Sequence, residues 1–523
     1  MVVISLSIGS ITWVLVMVLF VKVVVSWWVL PVLAHQKLKR NGFRGPPPSF
    51  PLGNIAEMKR IRKASAAING DAHSFPSSKV SHDIHSTVFP HFAQWQASYG
   101  KKFIYWLGTE PFLYIADPHF MKKISEAVMA KGWGKPAVFR NDRRPMFGDG
   151  LVMTEGDDWV RHRHILTPAF NPANLKAMTK FMVESTTKML NKWSSLVNSA
   201  GGEIDVEREI TATAGDIIAE ASFGICNDGG RDAFDYLRAL QFTLFQNSTY
   251  VGVPFSSLFF CPGRTLSAKR LGAAIDRLFL SLVSKRKLSQ DSSSDLLSRL
   301  IEGEKSTGDG GKMGLTTREL VDECKTFFFG GHETTALATS WTLLLLATRP
   351  EWQDILREEI KEVIGDKEID FNMLSGLKKM GCVFSEVLRL YPSAPNIQRQ
   401  AKGDIDVGSM TIPKGTNIWI DIVAMHRDPD LWGDDANEFK PERFVEDSIR
   451  GGCNHKMGYL PFGFGGRMCI GKNLSSMEYK IVLTLILSRF SLSLSPNYAH
   501  SPATLLSLRP AHGLPLIVTP LHP

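Results

Sequence analysis

The sequence predicts a mostly α-helical protein with small β-sheets, preceded by one N-terminal transmembrane helix. Three observations carry this. Residues 2–21 form an uncharged apolar run, and a hydrocarbon span needs roughly 20 such residues. Thr316-Thr317-Arg318-Glu319 fits a capping box, and a helical pattern follows to Thr348, where Arg349-Pro350 stops it. Residues 404–411 and 417–423, on either side of Ile412-Pro413-Lys414-Gly415, alternate like edge strands.

Residues 1–34 carry a single charge, Lys22. A signal peptide competes with a membrane anchor here, but its apolar region is typically about 7–15 residues, with a positive segment before it and small residues behind. This run is longer, no positive side chain precedes it, and Trp27, Trp28, Leu30 and Pro31 follow, which favours a retained anchor. Lys22 leaves two registers open: the span ends near it, or extends toward Leu33 while Lys22 snorkels. Residues 35–53 read as a basic and proline-rich hinge, ending in Arg44-Gly45-Pro46-Pro47-Pro48 and Pro51-Leu52-Gly53, a stiff extended segment.

Charge is concentrated beside the anchor. Within 35–63, Lys37, Lys39, Arg40, Arg44, Lys59, Arg60, Arg62 and Lys63 face one acid, Glu57. With Lys22 they account for the whole formal charge of +8, so residues 64–523 are neutral overall. Cytoplasmic loops carry the excess of Lys and Arg, so this belt and all that follows should lie in the cytosol. A nucleic-acid partner is disfavoured, since the body has no surplus cations for phosphates.

Residues 54–523 form the body. Length alone suggests two to four domains, though one large fold is also compatible. No repeat, heptad array or second linker divides it. Ser-rich 289–294 and Gly-rich 303–314 read as loops. The six cysteines are scattered without a C-x-x-C, and a cytosolic protein needs no disulfides.

The chemistry gathers near the C-terminus, in Phe462-Gly463-Phe464-Gly465-Gly466-Arg467-Met468-Cys469-Ile470-Gly471. A lone cysteine sits behind two glycine-permitted turns and an arginine, and an apolar helical stretch follows. Such a loop lets backbone N–H groups approach the sulfur, and the helix N-terminus favours negative charge. Both effects should depress the thiol pKa and present Cys469 to a metal as a thiolate. A Rossmann reading fails, because the third glycine position after Gly463 and Gly465 is Met468. Upstream, Gly330-Gly331-His332-Glu333-Thr334-Thr335 interrupts the long helix, where each glycine costs roughly 1 kcal/mol relative to alanine. A kinked core helix with a polar notch is the bland reading. His332-Glu333 begins an H-E-x-x-H zinc motif, but the fifth position is Ala336. Glu386 and Arg389 lie one helical turn apart, as do Trp159 and Arg163, so each pair can share a face.

The cysteine loop resembles the haem-binding loop of the cytochrome P450 family, F-x-x-G-x-R-x-C-x-G, at all five fixed positions, Phe462 among them. The other blocks follow in the family's order, from roughly residue 45 to 520. The resemblance implies a cytochrome P450 fold over 54–523 and haem b (iron protoporphyrin IX) as cofactor. Cys469 would be the axial ligand, and a thiolate ligand favours O–O bond cleavage. Gly330–Thr335 is similar to the oxygen-activation motif, where the helix opens over the haem, Thr334 hydrogen-bonds the bound oxygen or its water, and Glu333 relays protons. Arg163, in W-x-x-x-R with Trp159, Arg399 and Arg467 fall at propionate positions, a role that suits arginine's planar fork. Glu386, Arg389 and Arg443, the last in Pro441-Glu442-Arg443-Phe444, match a structural triad beneath the haem. The hinge matches the segment that orients membrane-bound members.

Leu390-Tyr391-Pro392-Ser393-Ala394-Pro395-Asn396-Ile397-Gln398-Arg399 and Phe103-Ile104-Tyr105-Trp106-Leu107-Gly108-Thr109-Glu110-Pro111 further resemble the plant clan numbered seventy-two. That clan implies a small lipophilic isoprenoid-derived substrate: a gibberellin-like or cytokinin-like hormone, a brassinosteroid or a triterpenoid. It also implies an endoplasmic reticulum membrane, a single pass, membrane lipid, and electrons from NADPH-cytochrome P450 reductase. Residues 133–147 (as a loop), 327–330, 395–397 and the turn around His512 and Leu514 are expected at the substrate pocket. Two rivals stand: a haem-thiolate isomerase or dehydratase, whose relatives lack the threonine, and a catalytically silent membrane-bound ligand-binding protein, against which Cys469, Thr334 and Glu333 argue.

Overall fold

Helix α1 (Ile8–Val24) continues through a π turn at Val25–Val29 into α2 (Leu30–Arg40) in the computed structural model. The structure describes residues 8–70, 80–127, 132–224, 229–245, 250–256, 262–288, 296–305 and 314–521. The stretch Thr12–Arg40 is long and apolar enough to cross a membrane. Its lower end is not free: Trp27 lies against Phe255, Pro31 and Leu38 are buried, and Trp106 Nε1 donates to His35 Nδ1 at 3.2 Å. The helix thus runs six residues past the anchor boundary expected at 34, and Lys37, Lys39 and Arg40 occupy its last turn. The proline-rich part of the hinge is laid on the body. Ile104 N–H donates to Arg44 O at 2.8 Å, and a Cβ on Gly45 would meet Ile104 O at 1.9 Å. Only glycine lets the backbones come that close.

After α3 (Ile55–Gly70), a five-stranded sheet forms from β1 (Lys102–Leu107), β2 (Glu110–Ile115), β3 (Trp133–Gly134), β4 (Asn396–Ala401) and β5 (Asn417–Asp421), in the order β1-β2-β5-β4-β3. Only β2 and β5 pair in parallel, with Phe112 opposite Asn417. The expected strand at 404–411 is two, Ile405–Val407 and Met410–Ile412, because Gly408 turns the chain at φ +66°. The strand expected to reach 423 ends at Asp421, whose carboxylate accepts from Ala424 N–H and starts a helical turn.

Helices supply the bulk: α4 (Ala137–Phe147), α5 (Gly156–Leu166), α6 (Val206–Phe223), α7 (Gly229–Phe245), α8 (Pro262–Leu288), α9 (Thr317–Thr348), α10 (Lys378–Leu390) and α11 (Lys472–Leu487). The capping box at α9 is present, with the Thr316 and Glu319 side chains each bonding the other's backbone N–H. Helix α9 crosses the core; Phe328 stacks on Phe223 of α6 and touches Phe279 of α8. Residues 303–305, expected in a loop, belong to helix Leu296–Lys305, and the other loop, 289–294, lies outside the described residues. The strand β6 (Ser507–Pro510) pairs with Pro502–Leu505 and returns the C-terminal segment to α9, where Trp341 Nε1 donates to Leu508 O.

Candidate active site

A cavity of about 440 Å³ lies between α9 and the loop before α11. Gly463 and Gly465, at φ +77° and +62°, bend that loop back so that Cys469 N–H donates to Phe462 O at 2.9 Å. Phe462 and Cys469 both line the cavity, and the Cys469 side chain is open to it. Burial in the surrounding protein pushes the Cys469 thiol up, and the Gly471 N–H, Arg163 and Lys472 pull it down by less. The depressed thiol expected from the loop is therefore not a property of the protein alone. An iron ion held at the sulfur would supply the missing positive charge, since a coordinating thiol is deprotonated outright.

Cations gather on one wall. Arg163 Nη1 donates to Met468 O at 2.9 Å, and Arg467 lies over the Trp159 ring at 4.7 Å while donating to Thr154 O. Arg467 Nε has no partner among the described residues. Arg399 is buried, with one bond to Gln398 O. Burial, then the charge of Arg467, pushes Arg399 down to about 9. Arg467 falls to about 10 through burial, against the pull of Glu155. Lys135 is forced well down by burial and then by Arg399, Arg467 and Arg143. The nearby Glu155 already holds Lys402 at 2.7 Å. Arg163, Arg399, Arg467 and Lys135 are short of anions among the described residues, and the two propionates of a haem would supply that charge. The residues present fit the group. Lys135 escaped the sequence reading because a lone lysine has no diagnostic spacing.

On the opposite side, α9 is helical through both glycines, without the opening that the resemblance implies. Gly331 is pressed on α6, where a Cβ would sit 2.4 Å from Ile218 Cδ1; a Cβ on Gly330 would meet nothing within 4 Å. One glycine permits packing and the other keeps space over the cavity. Thr334 lines that space and donates to Gly330 O at 2.9 Å. Glu333 faces the other way. Its buried Oε1 accepts from Gln241 Nε2 at 2.8 Å and from Ser507 Oγ at 2.5 Å, with Arg509 3.9 Å off. Burial pulls this carboxyl up, but Arg509, His332 and the two hydrogen bonds outweigh it and hold it below the usual range. Glu333 therefore meets the cavity only through Ser507, which lines it. Gln241, Ser507 and Arg509 come from distant segments and carry no sequence signal.

Away from the cavity, Arg389 grips Glu386 with two bonds of 2.7 Å, both side chains fully buried. It also donates to the carbonyls of His426, Ala436 and Glu438. Arg443 Nε stands 3.6 Å from Glu386. The three come together as a clamp on the segment before the cysteine loop.

The pocket regions are partly reassigned. Residues 133–147 are not a loop: β3 and α4 occupy most of them, and Lys135, Arg143 and Phe147 reach the cavity. Phe327, Phe329 and Gly330 line it, as do Asn396 and Ile397. His512 and Leu514 do not; Leu514 is core, its N–H held by Asp205 at 2.9 Å. The C-terminal segment contributes Leu506 and Ser507 instead.

Residues 78–512 match the cytochrome P450 family model. Cytochrome P450 714C2 of Oryza sativa subsp. japonica is 38% identical over 96% of both chains. A cytokinin hydroxylase of Arabidopsis thaliana is 36% identical over 97% of this chain and 98% of its own. Cytochrome P450 714A2 of Arabidopsis thaliana is 35% identical over 94% of each. Since these matches span the Cys469 loop, α9 and the arginine wall together, the chain belongs to the cytochrome P450 family, as a plant haem b monooxygenase.

Proposed function

We propose that the chain hydroxylates or oxidises a small lipophilic isoprenoid-derived substrate of the gibberellin-like or cytokinin-like kind, as a member of the plant clan numbered seventy-two. It is held in the endoplasmic reticulum membrane by a single N-terminal pass with residues 54–523 in the cytosol. Electrons come from NADPH through NADPH-cytochrome P450 reductase. The observation that carries this reading is the cavity itself: Cys469 on one wall, Thr334 on the other, and a surround of Leu151, Met153, Phe170, Ile218, Phe327 and Phe329. Two relatives named cytokinin hydroxylase support the hormone class.

The residues have separable roles. Cys469 would ligate the iron of a bound haem, which would supply oxygen activation, helped by the thiolate's electron density. Arg163, Arg399, Arg467 and Lys135 would hold the propionates, with Trp159 stacked behind Arg467 and Phe462 closing the loop against Cys469 N–H. Thr334 Oγ1, its proton given to Gly330 O, offers the cavity a hydrogen-bond acceptor and would donate there only on turning away from that carbonyl. Glu333 keeps a proton acceptor behind Ser507, where water entering the cavity can reach it. Glu386, Arg389 and Arg443 are a structural lock with no chemical step. The apolar surround orients the substrate and limits water.

A spectral titration of the purified ferric protein with gibberellins, cytokinins, brassinosteroids and triterpenoids tests the substrate class. One class should give a low-spin to high-spin shift. No shift with any of them, in protein that keeps its carbon-monoxide band, would remove the hormone reading and leave the family.

A further inference from the structure

A second cavity, of about 200 Å³, adjoins the first and shares Arg143, Asn396, Gln398 and Leu506 with it. Ligand pockets usually run to roughly 300–1,000 Å³. This one is sized for one end of a molecule whose remainder lies in the larger space. Its polar lining is unusual in lacking partners. The Tyr105 hydroxyl, Trp419 Nε1, Gln398 Oε1 and His91 Nδ1 are buried and make no hydrogen bond among the described residues. Tyr105 and His91 are each 1% exposed. A buried polar atom left unbonded costs about 1–3 kcal/mol; of these four, the Tyr105 hydroxyl and Trp419 Nε1 are donors that an anion entering beside them would satisfy, whereas Gln398 Oε1 is an acceptor that it would not.

The charge around that space is one-sided. Arg143 half-buries its guanidinium over the Phe139 ring at 4.2 Å, and no described carboxylate lies within ion-pair distance of it. The adjacent Asp142 is taken by Arg264 at 3.5 Å. Burial pushes Arg143 down to about 10, with Asp142 pulling the other way. Lys59 and Arg62 of α3 stand exposed at the mouth. No aspartate or glutamate lines the cavity among the described residues. Phe89, Phe139 and Phe245 complete the walls, so the occupant is apolar apart from its anionic end.

We infer that this cavity is an anion-accepting antechamber that receives the carboxylate of an apolar carboxylic acid substrate. Arg143 supplies the charge, and the Tyr105 hydroxyl and Trp419 Nε1 donate the hydrogen bonds. The inference rests on the monooxygenase reading and narrows its substrate class: of the two hormone kinds proposed, it selects the one that is a carboxylic acid.

The test uses the ferric, full-length, haem-loaded protein, with abietic and dodecanoic acids each titrated against its methyl ester. Spin-state shifts should give the acids an affinity about tenfold or more above the esters, a gap set by the buried charge. Arg143→Gln should close that gap while the carbon-monoxide band persists, Arg143→Lys should keep part of it, and Tyr105→Phe should weaken the acids a few-fold without touching the esters. Equal binding of acid and ester, no shift with either acid, or a gap unchanged in Arg143→Gln would overturn the antechamber. So would loss of the carbon-monoxide band in Arg143→Gln, which would make Arg143 a haem residue. Absence of that band from the unaltered protein would instead fail the monooxygenase reading beneath it.

Discussion

Replacing Cys469 with serine should abolish the red-shifted carbon-monoxide band of the reduced protein, and a surviving band would end the ligand assignment. Thr334→Ala should leave haem content intact but divert NADPH consumption toward peroxide; unchanged coupling would show that its hydroxyl has no part in oxygen handling. The structure brings both residues to one cavity, a placement legible in the sequence because each motif is local, a loop of ten residues and one helical turn. Glu386 and Arg389 were legible as a pair from their spacing, and their burial only through the family resemblance, since it depends on carbonyls 37 to 49 residues away. Glu333 was found without its setting: its partners lie 92 and 174 residues distant. The thiol pKa was misjudged for a related reason, because a loop's sequence shows its N–H groups and not the protein packed around it.

At the level of elements, the N-terminus of α9 is a junction. Glu319 closes the capping box, accepts from Arg161 of α5 and meets His162 Nε2 at 3.2 Å. Deeper in, His162 Nδ1 bonds Glu323, and Lys325 bridges Asp276 of α8 and Asp322. Burial pulls the Glu319 carboxyl up, but Arg161, the Thr316 N–H and His162 outweigh it and bring it down to about 2. A depressed carboxyl contributes stability above its unfolded pKa, and that stability is lost as pH falls from about 4.5 toward 2. Because the group is only partly buried, solvent screening holds its worth to about 1 kcal/mol. Glu319→Gln should lose that much at pH 7 and converge on the unaltered protein only as pH falls to about 2 in denaturant unfolding; a gap of constant size would refute the linkage. The capping box and the Arg349-Pro350 stop made α9 readable end to end. Helix α4 was not read, because Pro136 and Pro145 suggest a loop and Asn141 and Asp142 form helix poorly. Its buried face at Phe139, Met146 and Phe147 was the available signal.

On the scale of the whole molecule, the anchor and the body meet through a packed joint. The exposed apolar face of Trp13 to Val21 suits lipid, whereas Pro31, Leu38 and the His35–Trp106 bond belong to the body. Removing residues 1–26 should release the protein from membranes at least partly while its carbon-monoxide band survives. Removing residues 1–40 should also lower thermal stability, since it uncovers Trp106. Full retention on membranes after the shorter cut would require a second contact surface. The span and its charge belt were legible from composition; the joint was not, because a hinge rich in proline reads the same whether it hangs free or lies on a sheet.

That joint turns residue count into height. A continuous helix docked on the body at one end and carrying the apolar span at the other sets the tilt and height of the body over a membrane, since each residue between the two adds about 1.5 Å along the axis. The span itself, apolar on every side from Trp13 to Val21, leaves the body free to turn about the membrane normal.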